Sequence, residues 1–162
     1  NVGKDLVGLL KPFNCEILVN DIKDYPDFFK ENNIKKCNLD YLLKNSDIIT
    51  LHTPLTKTTY KFIAKKEFEI MKKSAVLINT ARGGLVDERA LFNSLKANRI
   101  DSAAFDVFYN EPPNNYNLLN LENFIVSPHV GGSTSDSILK MGTAAIEGLD
   151  NAQDPLNFLQ YQ

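Results

Sequence analysis

Residues 79–88, N-T-A-R-G-G-L-V-D-E, decide how this chain folds. The apolar run just before them, residues 75–78, predicts a buried strand of a parallel sheet. The pair Gly83 and Gly84 predicts a turn, and Asp87 stands where the N-cap of a following helix would lie. Arg82 is therefore delivered on a glycine-flanked loop at the carboxyl end of a strand. Open α/β sheets bind their ligands at that edge.

The composition is that of an ordinary globular domain. The chain has 162 residues, of which 43% are hydrophobic and 23% are charged, and its formal net charge is −2. This balance argues against nucleic acid or an anionic membrane as a partner. The apolar runs are too short to span a bilayer, so no membrane partner is expected.

The number and spacing of the cysteines and histidines argue against a C-x-x-C motif and a metal site. Cys15 and Cys37 are the only cysteines and form no C-x-x-C motif, which predicts a reducing, cytoplasmic location. The only histidines, His52 and His129, lie far apart in the sequence and have no partner at ligand spacing. We therefore expect no metal site.

Predicted helices and strands alternate along the chain. The strands are predicted at residues 16–20, 47–51, 75–78, 102–108 and 124–126. The helices are predicted from the N-terminus to near Pro12, at residues 39–43, 65–71 and 87–97, and after an N-cap at Ser133 or Thr134. This order implies right-handed crossovers and a doubly wound α/β fold with a parallel sheet. Residues 1–150 form one domain in this prediction, and residues 151–162 form a C-terminal tail.

Polar residues follow the carboxyl ends of the predicted strands. In a parallel sheet those ends meet at one edge, so the residues after them converge on one crevice. The residues at these positions are Asp21, His52, Thr53, Pro54, Thr80, Ala81, Arg82, Asp106, Glu111 and His129.

Three of these residues suit one chemical task. Arg82 offers a planar fork of donors that matches a carboxylate. His129 exchanges a proton near neutral pH, and Glu111 is suited to fix the tautomer of an imidazole and favour its protonated form. Taken singly, each has a structural interpretation: a surface arginine in a turn, a histidine bonded to backbone, and a solvated carboxylate. Together they predict oxidation of an alcohol that carries a carboxylate.

Gly3 and Asp21 hint at a dinucleotide site. A predicted helix and strand separate them, as in the stretch between the last glycine of a dinucleotide fingerprint and the acid that binds the adenosine ribose. The first two glycines of G-x-G-x-x-G do not occur in this chain, so the spacing alone is a weak signal.

Three motifs in this order resemble the NAD-dependent D-isomer-specific 2-hydroxyacid dehydrogenases. They are residues 79–88, residues 105–112 (F-D-V-F-Y-N-E-P) and residues 127–134 (S-P-H-V-G-G-S-T). The resemblance implies hydride transfer between NAD and a small D-2-hydroxy acid or 2-oxo acid. It assigns the substrate carboxylate to Arg82, acid–base catalysis to His129 and the pairing of that histidine to Glu111. The G-G-S-T sequence leans slightly toward phosphoglycerate dehydrogenase.

The resemblance also implies the contacts with NAD. Asn1, Val2 and Gly3 match the end of the glycine-rich turn that faces the pyrophosphate. Asp21 matches the acid that takes the ribose hydroxyls, which favours NAD over NADP. The other implied contacts, which line the dinucleotide groove or meet the nicotinamide, are His52, Thr53, Pro54, Thr58, Thr80, Ala81, Arg82, Asp106, His129, Gly131 and Gly132.

The family has features that this sequence lacks. Its members carry a second, substrate domain and an earlier first strand, so the resemblance implies an NAD-binding domain that is incomplete at its N-terminus. Family members pair through the cofactor domain, which implies a homodimer. Two alternatives remain: an NAD(H)-sensing corepressor, against which the low basic charge argues, and an inactive fragment that only dimerises.

Overall fold

The fold was examined in a computed structural model that describes residues 2–152. The described residues divide into two compact units, with the boundary between Pro128 and His129. The helices of the first unit are α1 (Val2–Leu10), α2 (Pro26–Glu31), α3 (Leu39–Asn45), α4 (Lys65–Ile70), α5 (Glu88–Lys96) and α6 (Tyr116–Leu119). Its strands are β1 (Ile17–Val19), β2 (Ile34–Lys36), β3 (Ile48–Leu51), β4 (Val76–Asn79), β5 (Ser102–Phe105) and β6 (Phe124–Val126). Short 3-10 turns cover Lys11–Phe13 and Gly83–Leu85.

The described strands form two parallel sheets. β1 pairs with β2, and the other strands form a sheet in the order β3-β4-β5-β6. The last residues of that sheet's strands are register partners in sequence: Leu51 with Asn79, Asn79 with Phe105, and Phe105 with Val126. The loops that follow these strands therefore leave the sheet from one line. The prediction of a doubly wound α/β fold with parallel strands is confirmed.

The larger core covers the four-stranded sheet. Phe105 forms an edge-to-face contact with Phe124, with ring centroids 5.4 Å apart. The side chains of this core that are 0% exposed are Leu43, Ile63, Ala75, Leu77, Leu85, Leu91, Ile100 and Leu118. Burial of such apolar side chains stabilises the sheet. A smaller cluster of Val7, Phe29 and Ile34 belongs to the β1-β2 region.

Short elements with one buried residue escaped the prediction. α2, β2 and α6 were missed because each buries a single side chain, Phe29, Ile34 and Leu118 respectively, so no periodic pattern shows. The helix predicted at the N-terminus is α1, but the helical spacing of Leu6, Leu9, Leu10 and Phe13, which predicts its apolar face, is misleading in part. Val7 is its buried residue, whereas Leu9 is 71% exposed.

Side chains cap the helices where the sequence indicates. The Asp87 carboxylate accepts hydrogen bonds from the N–H groups of Arg89 and Ala90 at 3.0 and 3.1 Å, which confirms it as the N-cap of α5. Thr134, rather than Ser133, caps the helix of the second unit, because its hydroxyl accepts the N–H of Ser137 at 3.1 Å.

The second unit contains helix α7 (Ser135–Asp150). All residues of α7 are described and none of its side chains is buried. Its apolar stripe, predicted correctly as helical, includes Ile138, Met141 and Leu149, which are 59, 59 and 76% exposed. Between residues 2 and 152, no helix combines the length and the hydropathy that a membrane crossing requires. Of the predicted tail 151–162, residues 153–162 lie outside the described residues.

Candidate functional site

The predicted polar residues stand in line at the carboxyl edge of the four-stranded sheet. The predicted residues His52, Thr80 and Asp106 each follow directly after one of the register-paired strand ends, and Ser127, which was not predicted, follows the fourth. Asp21 holds a similar place in the smaller sheet, two residues after β1. Parallel register therefore delivers these groups to common edges, as ligand sites of α/β sheets require.

The turn that carries Arg82 is closed by one buried side chain. Asn79 is 0% exposed. Its Nδ2 donates to the carbonyl of Arg82 at 2.9 Å, and its Oδ1 accepts the N–H of Ala81 at 3.1 Å. The Arg82 backbone is extended, and its guanidinium is exposed, with Nη1 donating to the Ala81 carbonyl at 2.6 Å. A fixed backbone thus presents a solvent-facing cation.

Gly83 packs against the loop that follows β5. A Cβ atom on Gly83 would lie 1.9 Å from the carbonyl carbon of Phe108 and 2.4 Å from the nitrogen of Tyr109. No side chain fits at that distance, so glycine is required by the close approach of two backbone segments. The residue after Arg82 is therefore in direct contact with the segment that leads to Glu111.

The segment before Glu111 is held by two carboxylates. The N–H of Phe108 donates to Oε1 of Glu111 at 2.9 Å. The next N–H, of Tyr109, donates to Oε1 of Glu88 at 2.8 Å. Glu111 itself lies on an exposed part of the loop. Its carboxylate is thus oriented by the loop's own backbone.

Asp106 is the buried acid of the site. It is 6% exposed, and its Oδ1 accepts a hydrogen bond from the Ser127 hydroxyl at 2.6 Å. Its N–H donates to the carbonyl of Asn79 at 3.0 Å, which ties the β4 and β5 ends together. Asp106 is predicted from the sequence, whereas its partner Ser127 is not. The signal was the position of Ser127 directly after a predicted strand.

His52 lies beside the start of α1. A Cβ atom on Gly3 would lie 3.8 Å from the ring of His52, and Nε2 of His52 is 3.1 Å from the Thr50 hydroxyl. Desolvation lowers the pKa of His52, which favours the neutral imidazole at neutral pH although part of the side chain is exposed. The free N–H groups of the first turn of α1 and this neutral ring fit the pyrophosphate of a dinucleotide. Asn1, predicted to share this role, lies outside the described residues.

The other predicted cofactor residues of the first unit lie in exposed loops. Asp21 is exposed, and its Oδ1 accepts the N–H of Lys23 at 2.8 Å. The Thr58 hydroxyl is 3.0 Å from that of Thr56. Thr53 is half-buried, whereas Pro54 and Thr80 are exposed. These residues are accessible to a ligand at the carboxyl edge.

His129, Gly131 and Gly132 belong to the second unit. His129 is exposed and has a φ of 55°, in the left-handed region, which histidine adopts more often than most residues do. A Cβ atom on Gly132 would meet no atom within 4 Å, so the backbone there is open to approach. Among residues 2–152, no group of three His, Cys, Asp or Glu side chains is arranged to hold a metal ion.

Comparison with known proteins gives one family. Residues 1–131 match the family described as "D-isomer specific 2-hydroxyacid dehydrogenase, NAD binding domain". The chain is 37% identical over 156 residues to D-3-phosphoglycerate dehydrogenase of Archaeoglobus fulgidus, covering 93% of this chain and 30% of that protein. It is 40% identical over 136 residues to glyoxylate reductase of Thermococcus litoralis, covering 84% of this chain and 41% of that protein. The chain therefore spans well under half the length of these relatives.

Solved structures give the same result for the fold. D-lactate dehydrogenase with NAD+ from Lactobacillus jensenii superposes with a TM-score of 0.84 at 32% identity, covering 94% of this chain and 51% of that one. A glyoxylate reductase from Paecilomyes thermophila superposes with a TM-score of 0.87 at 30% identity, covering 93% of this chain and 46% of that one.

Proposed function

The chain belongs to the D-isomer specific 2-hydroxyacid dehydrogenase family and carries its NAD binding domain, and from this premise we propose that it serves NAD-dependent oxidoreduction of a small D-2-hydroxy acid. The similar proteins named above are dehydrogenases and reductases, which favours an enzyme over the corepressor alternative.

One observation carries the proposal. Arg82 projects an exposed guanidinium from a turn that buried Asn79 closes, and the next residue, Gly83, packs on the segment that leads to Glu111. A cation suited to a carboxylate and a carboxylate suited to a histidine are thus carried by loops in direct contact. That pairing fits binding of a 2-hydroxy acid and support of proton transfer from its hydroxyl.

Each proposed catalytic residue has one task. Arg82 binds the substrate carboxylate through two N–H donors and, in the reducing direction, polarises the carbonyl. His129 takes the hydroxyl proton during oxidation and returns it during reduction. Glu111 pairs with His129 and favours the imidazolium that forms. NAD, when bound, supplies the hydride acceptor for the C2 hydrogen.

The cofactor is held by the residues at the sheet edges. The start of α1, with Val2 and Gly3, faces the pyrophosphate, Asp21 binds the adenosine ribose, and Asp106 receives the nicotinamide carboxamide. Burial of Asp106 and its bond from Ser127 support a fixed acceptor there. The remaining proposed contacts are His52, Thr53, Pro54, Thr58, Thr80, Ala81, Gly131 and Gly132. Asn1 is proposed from the resemblance alone.

Location and assembly follow from the same proposal. Cys15 and Cys37 are free thiols, which is consistent with a cytoplasmic protein. A homodimer formed through the cofactor domain is proposed from the family resemblance. Light scattering after size-exclusion chromatography distinguishes a dimer from a monomer.

A substrate screen with matched variants tests the function. The 162-residue chain is titrated with NADH and then assayed by NADH absorbance, with NADH for glyoxylate and hydroxypyruvate and with NAD+ for D-lactate, D-glycerate and 3-phosphoglycerate. We expect His129→Ala to lower kcat by about 10²–10⁴-fold and to leave NADH binding nearly unchanged. Arg82→Lys should mainly raise KM for the acid, because an ammonium does not reproduce the bidentate contact. Failure to bind NADH, or a His129→Ala variant with near-normal turnover, would contradict the proposal.

A further inference from the structure

Glu88 holds a backbone group of the loop that carries Glu111. Its Oε1 accepts the N–H of Tyr109 at 2.8 Å, across 21 residues of sequence. The preceding N–H, of Phe108, donates to Glu111 itself at 2.9 Å. Two successive peptide N–H groups thus end on two carboxylates, one on helix α5 and one on the loop. The resemblance assigns no role to Glu88.

The helix under Glu88 is a rigid support. Glu88 is the first residue of α5, directly after the N-cap Asp87. Asp87 also pairs with Lys61, Nζ to Oδ2 at 3.0 Å, and α5 packs into the core through Leu91 and Leu95, which are 0 and 1% exposed. Because the helix start is fixed by these contacts, the Glu88 carboxylate is a fixed point for the loop.

The same peptide also packs against Gly83. A Cβ on Gly83 would come within 2.1 Å of the Phe108 carbonyl oxygen, so the two backbones are in contact. The peptide between Phe108 and Tyr109 is therefore clamped between Gly83 and Glu88. Glu111 accepts the N–H of Phe108, next to this clamped peptide. Arg82 is the residue before Gly83 in the sequence.

We propose that Glu88 is a positioning residue, which fixes the Glu111 carboxylate relative to Arg82 by holding the Tyr109 N–H. The proposal rests on the proposed function for its catalytic consequence. Glu88 contacts neither substrate nor cofactor and acts through the loop that carries Glu111.

A second glutamate offers a matched control. Oε2 of Glu67 accepts the N–H of Ala64 at 3.0 Å, which is a carboxylate-to-backbone bond at the start of α4. Each glutamate lies in the first turn of a helix and accepts one backbone N–H. The partner of Glu67 is the N-cap of its own helix, whereas the partner of Glu88 lies on another loop. Glu67→Ala therefore removes a similar bond and leaves the Tyr109 N–H in place.

The experiment compares Glu88→Ala, Glu88→Gln and Glu67→Ala in the 162-residue chain. Amide hydrogen exchange of Tyr109 and Phe108 is followed by NMR, glyoxylate reduction by NADH absorbance, and unfolding by urea. In Glu88→Ala we expect Tyr109 exchange to rise and kcat to fall, each by about tenfold, the effect of losing one charge-assisted hydrogen bond. KM for NADH should change less than about twofold, since the cofactor contacts stay. Glu88→Gln keeps an acceptor oxygen and should restore most of both losses.

The outcomes distinguish the hydrogen bond between Glu88 and the Tyr109 N–H from its proposed effect on Glu111. Unchanged Tyr109 exchange in Glu88→Ala overturns the proposal, and so does a kcat that falls no further than in Glu67→Ala. If the parent chain neither reduces the oxo acids nor oxidises the hydroxy acids, the proposed function fails, and Phe108 exchange then tests the role of Glu88. Faster Phe108 exchange in Glu88→Ala alone supports the positioning of Glu111, and equal exchange in all variants overturns it.

Discussion

Two neighbouring loops of the sheet edge are built in different ways. The loop from β4 to α5 buries Gly83, Gly84, Leu85 and Val86 in succession, and the buried amide of Asn79 closes its first turn. The first part of the loop from β3 to α4, residues 54–58, is exposed throughout. Threonine hydroxyls hold that part, as Thr59 Oγ1 donates to the Pro54 carbonyl at 2.7 Å.

Backbone hydrogen bonds join the later parts of the two loops. The N–H of Lys61 donates to the Gly84 carbonyl at 2.8 Å, and the N–H of Ile63 donates to the Leu85 carbonyl at 3.0 Å. The N–H of Asp87 returns a bond to the Ile63 carbonyl at 2.9 Å. The difference is therefore confined to residues before Lys61. A buried loop backbone holds Arg82, the cation proposed to bind the substrate, and an exposed loop backbone lines the proposed dinucleotide groove.

Gly83→Ala in the buried loop should lower the free energy of unfolding more than any other substitution considered. The added Cβ would overlap the Phe108 carbonyl carbon at 1.9 Å, and backbone must move on both sides. We expect the free energy of unfolding to fall by about 3 kcal/mol or more, at the upper end of overpacking effects. Urea unfolding followed by circular dichroism measures the loss.

Gly84→Ala is the matched control for this change. The nearest atom to a Cβ on Gly84 is Cδ2 of Leu55 at 3.0 Å, at the far end of a flexible and 43% exposed side chain. The free energy of unfolding should change by less than about 1 kcal/mol, since the substitution also lowers the entropy of the unfolded chain. Equal losses in both variants would contradict the distinction between the two glycines.

Asp87 gives the next largest effect, with a defined pH dependence. Burial alone would raise the pKa of Asp87, but hydrogen bonds from Lys61, Ala90 and Arg89 outweigh it and hold the pKa below its ordinary value. Asp87→Ala removes the N-cap and should lower the free energy of unfolding at pH 7 by about 1–2 kcal/mol.

The pH dependence follows from the direction of that pKa shift. The folded state binds the proton of Asp87 less tightly than the unfolded state, so this stabilisation is complete above the unfolded pKa of about 4. It is lost as the pH falls through the lower folded pKa. The difference in urea midpoint between the parent chain and Asp87→Ala should therefore narrow below about pH 4. A difference that grows on acidification would contradict the assignment. Asp87→Asn keeps a capping oxygen and serves as the control for lost charge.

Periodic patterns revealed the larger elements but not every burial. The apolar runs of β3 to β6 and the spacing in α5 are set by contact with one core, so sequence spacing reports them. In α7 the same kind of stripe predicted a helix correctly, yet Ile146 is 63% exposed. A stripe shows that one face is apolar and carries no information about what covers it.

The sequence predicts the candidate site only in part, for a related reason. Arg82, Asp106 and Glu111 were selected because strand ends in a parallel sheet share an edge, which is a property of chain order. The bonds from Ser127 to Asp106 and from the Tyr109 N–H to Glu88 each span 21 residues of sequence. Such contacts depend on loop geometry and leave no periodic signal in the sequence.

Thr59→Val in the exposed loop should have the smallest effect. The substitution removes the hydroxyl that donates to Pro54 and accepts the N–H of Thr56 at 2.8 Å, while the shape of the side chain is kept. Thr59 is half-buried, but the loop around it is exposed and water replaces both partners, so we expect the free energy of unfolding to fall by at most about 1 kcal/mol. Lys57→Ala, an exposed neighbour, should stay within about 0.5 kcal/mol of the parent chain. If urea unfolding shows a Thr59→Val loss as large as that of Gly83→Ala, the two loops are equally rigid, and the contrast between a buried and an exposed support is wrong.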